Sequence, residues 1–162
     1  MKNFNQSVVI FKSGNIYCVI VQAVGMITIG EPNEDPQFIF SNEGDEVLGE
    51  KVLRALTLSR ELSHQDLQII VNSGKLNEYD EQRNLIMMEK FGYANKRALY
   101  RNMKCCWVST DGETIEILPS HHKSMDRYTA RKDSGPHPVI VPARLTGRDL
   151  GVAIRDAFLL CT

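Results

Sequence analysis

Apolar positions recur in one spacing twice along this chain, 102 residues apart. Leu48, Val52, Ala55, Leu56 and Ser59 stand at i, i+4, i+7, i+8 and i+11, and so do Leu150, Ile154, Ala157, Phe158 and Cys161. That spacing is one face of a 3.6-residue period and predicts two amphipathic helices lying against a sheet. A short apolar strand precedes each, Phe38-Ile39-Phe40 and Ile140-Val141. The first leucine of each stripe is followed by a glycine, Gly49 and Gly151, although an interior helical glycine costs about 1 kcal/mol relative to alanine. The same cost borne twice predicts a close backbone approach at that turn. Upstream, residues 7–22 and 104–118 each read as two strands, around Ser13-Gly14-Asn15 and Asp111-Gly112, because glycine beside a small polar residue suits a tight hairpin turn. The expected fold is α+β, a single domain over residues 1–162 with a mainly antiparallel sheet and helices packed on it. Hairpin, strand and helix are stated twice, over about 7–60 and 104–161.

The stretch between the copies has no counterpart. Ser63-His64-Gln65-Asp66 resembles a helix start, but Asn72-Ser73-Gly74 ends it early, so a short helix or an irregular loop is expected. Residues 80–91 carry a stripe of Leu85, Ile86, Met88 and Phe91 that Gly92 closes, and Asn95 caps a short helix over 96–101. Gly44 and Thr146 stand at the N-caps of the two long helices. Residues 121–138 are polar and rich in serine, glycine and proline, which predicts a long surface loop with a short strand around Tyr128.

Composition narrows the class. With 43% hydrophobic and 24% charged residues the chain is neither a disordered tail nor a fibrous repeat. Its length suffices to bury a core without disulfides or structural metal. The longest mostly apolar stretch, 16–30, is interrupted by Gln22 and Gly25 and falls short of the ~20 residues that span a bilayer. No signal peptide is expected in the polar residues 1–6, and the expected location is the cytoplasm. The four cysteines fit that compartment. Adjacent Cys105 and Cys106 on a strand point to opposite faces, while Cys18 and Cys161 lie in apolar patterns; all four read as buried, inert thiols.

Charge is distributed unevenly. Residues 1–80 carry 6 Lys or Arg against 11 Asp or Glu, and residues 81–162 carry 13 against 9. Seven acids fall in residues 31–50 with no Lys or Arg: Glu31, Glu34, Asp35, Glu43, Asp45, Glu46 and Glu50. Such a run can form a negative lip. It can also be solvated loop charge, and Glu43, Asp45 and Glu46 can serve a helix N-terminus by offsetting its dipole.

Signatures of catalysis are missing. His121, His122 and His137 lack metal-ligand spacing, no G-x-S-x-G stands around a serine, and no phosphate-binding loop is present. No metal or cofactor is expected, and the chain does not read as an enzyme. One basic and aromatic segment, with Lys90, Lys96, Arg97, Arg101 and Lys104 among Tyr93, Tyr100 and Trp107, suits a small RNA-binding module as the alternative. A solvated short helix with Leu99 packed inward is the preferred reading of that segment, since the net charge lacks the basic balance of nucleic-acid-binding domains.

The residues 7–12 (SVVIFK), Leu48-Gly49 through Ala55-Leu56 to Ser59-Arg60, the step over 96–108, and Leu150-Gly151 to Cys161 resemble the immunity proteins of bacterial contact-dependent growth inhibition systems. Roughly half the chain carries the likeness, mostly at core positions. The resemblance implies a cytoplasmic protein that binds the C-terminal toxin domain delivered by a neighbouring cell and blocks its active site, as a monomer in a one-to-one complex. It further implies a nuclease as toxin, with an RNase the expected kind, and direct contact of this chain with neither nucleic acid nor membrane. A nuclease site receives phosphates, so acids would mimic its substrate. The expected toxin-binding carboxylates are Glu31, Glu34, Asp35, Glu43, Asp45 and Glu46, joined by Asp66, Glu78 and Asp80, with Tyr128 as aromatic anchor.

Overall fold

Residues 5–130 and 137–162 are described by a computed structural model. In chain order the elements are β1 (Gln6–Ser13), β2 (Ile16–Val24), β3 (Ile29–Gly30), β4 (Gln37–Phe40), α1 (Asp45–Leu58), β5 (Arg60–Glu61), α2 (His64–Asn72) and α3 (Lys75–Phe91). Then follow α4 (Lys96–Arg101), β6 (Lys104–Thr110), β7 (Thr114–Pro119), β8 (His121–Ser124), β9 (Arg127–Thr129), β10 (Val139–Pro142) and α5 (Gly147–Leu159). The main sheet runs β4-β2-β1-β6-β7-β10, with every neighbouring pair antiparallel. Each half of the chain contributes a hairpin and an outer strand, and the halves join at β1 and β6, where Val9 stands opposite Trp107. Short β3 pairs with β2 antiparallel and β5 pairs with it parallel. The fold is therefore α+β with a mainly antiparallel sheet, as the hydrophobic pattern predicts.

Alternation along the strands feeds two cores. Val8, Ile10, Tyr17, Val19, Cys106, Val108, Ile115 and Ile117 point to one face and meet both helical stripes, Leu48, Val52, Ala55 and Leu56 of α1 and Leu150, Ile154, Ala157 and Phe158 of α5. Val9, Cys18, Ile20 and Cys105 point to the other face, against Met87 of α3 and Leu99, Tyr100 and Met103 in and after α4. On the first face the helices touch backbone to backbone. A Cβ on Gly49 would stand 1.6 Å from the Gly147 carbonyl oxygen, and one on Gly151 would stand 1.9 Å from that of Asp45. The copies also finish alike. Ser59 donates its hydroxyl to the Gln22 carbonyl at 2.7 Å, and Cys161, its counterpart, points its thiol at the Cys105 carbonyl at 3.4 Å.

Three segments sharpen the expectation. The stretch after Leu62 is the short helix of the two alternatives, because Ser63 accepts the Asp66 N–H at 3.1 Å and Leu67 is buried against Ala23, Ile29 and Leu62. Helix α3 starts at Lys75 instead of residue 80, and its inward residues are Leu76, Met87, Met88 and Phe91, so Met88 and Phe91 of the expected stripe pack inward while Leu85 is 62% and Ile86 37% exposed. Polar Asp80, Arg83 and Asn84 lie between Leu76 and Met87 on that inward side, which hid the true stripe. The short strand expected around Tyr128 is β9, and it pairs with β8 in a hairpin over residues 121–129 where the sequence suggested a loop, held where the Tyr128 ring packs edge-on to Phe11 at 5.9 Å and stacks on His122 at 4.6 Å. The rest of that loop, 131–136, lies outside the described residues.

Glu31 is the clearest correction to the acidic lip. Its side chain is 3% exposed and ion-paired with Arg60, and its carboxylate also accepts the Asn33 N–H at 3.2 Å. Ala23 pairs with Ile29 on one side and Arg60 on the other, so the ion pair reaches across β2 and ties the two short strands together. A carboxylate buried this way is committed to the fold and cannot lead an encounter with a partner.

Alanine at Gly49 or Gly151 should destabilise the protein by about 1–3 kcal/mol in urea unfolding, although alanine alone would add about 1 kcal/mol of helix propensity. Stability equal to or above the parent would mean the two helices do not meet there. Arg60→Ala should cost about 1–3 kcal/mol, less than a fully buried pair because the arginine is 40% exposed. Adding Glu31→Gln should restore part of that loss; strictly additive losses would rule out the coupling.

Candidate functional site

The second face of the sheet is only partly roofed. Helix α3, the loop from Met26 to Thr28 and the β8–β9 hairpin stand around a cleft of about 390 Å³ whose floor is Val9, Phe11, Cys105 and Trp107. A second hollow of about 500 Å³ continues it beneath α3 to Asn77, Glu81 and Lys96, sharing Phe11, Asp80, Arg83 and Asp126. A third, of about 280 Å³, continues it past Trp107 to Glu116 and Leu118 of β7. One groove thus crosses the face from α4 to β7. Beyond it Ile140 of β10 is 62% exposed, and at its lip Met26 is 83% and Ile27 56% exposed.

Local structure sets each side chain there. Alternation on β6 sends Trp107 to this face and its neighbours Cys106 and Val108 to the sealed one. The inward side of α3 supplies Asp80 and Arg83, which pair at 3.1 Å in the i, i+3 relation. Arg83 lies flat on Gly30, where a Cβ would come within 2.4 Å of the guanidinium. Across the mouth, Lys96 at the start of α4 meets Asp126 in the hairpin turn at 3.2 Å. Four carboxylates (Asp80, Glu81, Glu116, Asp126) face two cations (Arg83, Lys96) along the groove.

The expected site residues separate into three groups. Glu34 and Asp35 share a small hollow with Glu31, Tyr79 and Arg83 beside α3. Glu43, Asp45 and Glu46 lie beyond β4, at the start of α1 on the sealed face. There Glu43 accepts the Phe40 N–H at 2.6 Å and Asp45 ion-pairs with Arg155 at 2.6 Å. These two serve local structure, so the acidic run forms no single lip. Asp66 and Glu78 are exposed on α2 and α3. Tyr128 is half-buried in the cleft wall and donates its hydroxyl to the Met103 carbonyl at 3.1 Å, with burial pushing its pKa up. Its ring is wall more than protruding anchor. Trp107, Phe11, Arg83 and Asp126 were missed as a set, since strands and helices far apart in sequence bring them together. The interrupted stripe of α3 was the available signal.

Two rings of the basic and aromatic segment are tied into the fold: Tyr100 is 6% exposed and donates to Asn84 at 2.5 Å, and Tyr93 shares a hydrogen bond with Ser13 at 2.8 Å. Arg97, Arg101 and Lys104 stay exposed. Among the described residues no cluster of three or more His, Cys, Asp or Glu is arranged to hold a metal ion, and no helix is long and apolar enough to cross a membrane. His121 and His122 bond to Thr162 and to the Met125 carbonyl.

Comparison with known proteins places this geometry. Immunity protein CdiI-YPIII of Yersinia pseudotuberculosis serotype O:3 (strain YPIII) is 27% identical over 96 residues, a match spanning 59% of this chain and 54% of that protein. A solved protein of unknown function from Neisseria meningitidis superposes with a TM-score of 0.89 at 19% identity, covering 100% of this chain and 98% of that one. A chain of the CdiA-CT/CdiI toxin and immunity complex from Yersinia pseudotuberculosis superposes with a TM-score of 0.86, also at 19% identity, with 98% of each chain covered. These two structures share the fold. The family model "CdiI: CDI immunity protein" matches residues 6–161, essentially the whole chain, and the protein belongs to the CDI immunity protein family.

Proposed function

We propose that this chain binds and neutralises the toxin domain of its own contact-dependent growth inhibition system, in the cytoplasm and as a one-to-one complex. The observation that carries this reading is the groove across the half-roofed sheet face, with Trp107 on its floor, Met26 and Ile27 at its lip, and an excess of carboxylates along it. An aromatic floor offers the desolvated anchor that tight binding needs, and rim charges steer the encounter. Glu34, Asp35, Asp80, Glu81 and Asp126 form the steering set, with Tyr128 supporting the wall. The toxin is a nuclease in this reading, an RNase by preference, since carboxylates complement a site built for phosphates. Covering that site is the means of inhibition, and the chain acts as a binder with no catalysis of its own.

Calorimetric titration against the cognate toxin domain should give one-to-one binding tighter than about 100 nM, near −9.5 kcal/mol, weakening as salt rises. Absence of binding would reject the reading and return attention to RNA. Reversing Glu34, Asp35 and Asp80 to lysine should slow association several-fold at low salt, whereas Glu43→Lys with Glu46→Lys should leave the rate unchanged. The opposite pattern would move the interface to the α1 side. Trp107→Ala, with folding checked by circular dichroism, should raise the dissociation constant tenfold or more; an unchanged constant would remove the groove floor from the interface.

A further inference from the structure

The cysteines do not all behave as inert core. Cys106 is fully buried in the middle of β6, paired with Ile10 and Pro119. Cys161 is half-buried just past the end of α5, and its sulfur lies 3.5 Å from that of Cys106. A disulfide needs the sulfurs about 2 Å apart. Closing the gap requires a shift of about 1.5 Å, which Cys161, outside the helix, can supply while the strand ladder holds Cys106. Asymmetry in the pair divides the labour. Cys106 is sealed in the sheet while Cys161 is half-buried, so the Cys161 sulfur is the one an oxidant reaches first. Its thiol points at the Cys105 and Ala157 carbonyls, and a hydrogen bond shared with Cys106 lowers the Cys161 pKa and raises that of Cys106.

We propose that Cys106 and Cys161 form a peroxide-responsive dithiol site, which a hydroperoxide converts into an intramolecular disulfide stapling the end of α5 to β6. The Cys161 thiolate attacks the peroxide, a sulfur–oxygen bond forms as the oxygen–oxygen bond breaks, and the departing oxyanion takes a proton from solvent. The Cys106 sulfur then attacks the Cys161 sulfenic acid. The sulfur–sulfur bond forms and water leaves, so two thiols lose two electrons and the peroxide gains them. The place of the staple gives it reach. Thr162, next in the chain, donates its N–H to the Ser120 carbonyl at 3.1 Å and accepts the His122 N–H at 2.9 Å. It thereby secures the hairpin that carries Asp126 and Tyr128 into the groove. Any effect on toxin affinity rests on the proposed function; the thiol chemistry does not.

The test treats the intact, folded protein with a small excess of hydrogen peroxide and follows mass and peptide map. The expected result is loss of two hydrogens, a Cys106–Cys161 linkage that dithiothreitol reverses, and a melting temperature raised by several degrees. Cys18 and Cys105 should stay reduced, since burial raises both thiol pKa values, Cys18 to about 12. In Cys106→Ser, Cys161 should run on to sulfinic acid for want of a resolving thiol. Overturning results in the unmodified sequence are no reaction before unfolding, over-oxidation of Cys161 without a crosslink, or a bridge to Cys105.

Discussion

The backbones of α1 and α5 meet where Gly49 faces the Gly147 carbonyl and Gly151 faces that of Asp45. At that turn neither helix can carry a side chain, and the pair straddles the join of the halves, α1 over β1 and β2 and α5 over β6, β7 and β10. Their stripes converge on Val8, Ile10, Cys106 and Val108, two residues from β1 and two from β6. The join between the halves is therefore covered by the long helix of each copy. Burial of a large aliphatic or aromatic side chain stabilises by about 1.5–3 kcal/mol, and here the buried side chains concentrate on one face. Sealing that face leaves the other without a long amphipathic helix of either copy.

The unrepeated segment has to cover that second face, and it does so incompletely. Helix α3 touches the sheet through Met87 and Phe91 near one end and reaches the small cluster of Ala23, Ile29 and Leu67 through Leu76 near the other. Between these contacts its inward residues are Asp80, Arg83 and Asn84. A paired carboxylate and guanidinium keep their hydration at least cost when open to water, so the middle of the helix stands off the sheet and the groove persists. The same polar residues that make the helix a poor roof make the groove a charged one. Among the described residues nothing equivalent covers β7 and β10, where Glu116 and Ile140 stay accessible.

What the sequence disclosed follows from how local each signal is. Helical stripes, glycine pairs and hairpin turns are written in neighbouring residues, and the elements on the sealed face lie where those patterns put them. Caps were equally legible: Asn95 accepts the Ala98 N–H at 2.8 Å and Thr146 the Asp149 N–H at 3.1 Å. The groove was not legible, because its floor comes from β1 and β6 and its walls from α3, the 26–28 loop and the hairpin, five segments brought together by the sheet. Tyr128 looked free of any core pattern for the same reason: its partners Phe11 and Met103 are distant in sequence. Reading α3 from Leu85 and Ile86 failed because polar residues on a buried side mimic a solvated face.

The acidic run shows why charge counted along a chain overstates the field a partner meets. Of its seven carboxylates, Glu31 and Asp45 are ion-paired and Glu43 is bound to a backbone N–H. A carboxylate beside an arginine presents a dipole, whose field falls off faster than that of a lone charge, and at physiological salt even lone charges are screened within about 8 Å. Beta strand β4 then divides the remainder, with Glu34 and Asp35 on the groove side and Glu46 and Glu50 on α1. Under the proposed function, steering therefore rests on fewer acids than the run contains. Asp80 and Asp126 are reduced in the same way by Arg83 and Lys96, so beside Glu34 and Asp35 it is Glu81, which no run announces, that the fold adds at the edge of the groove.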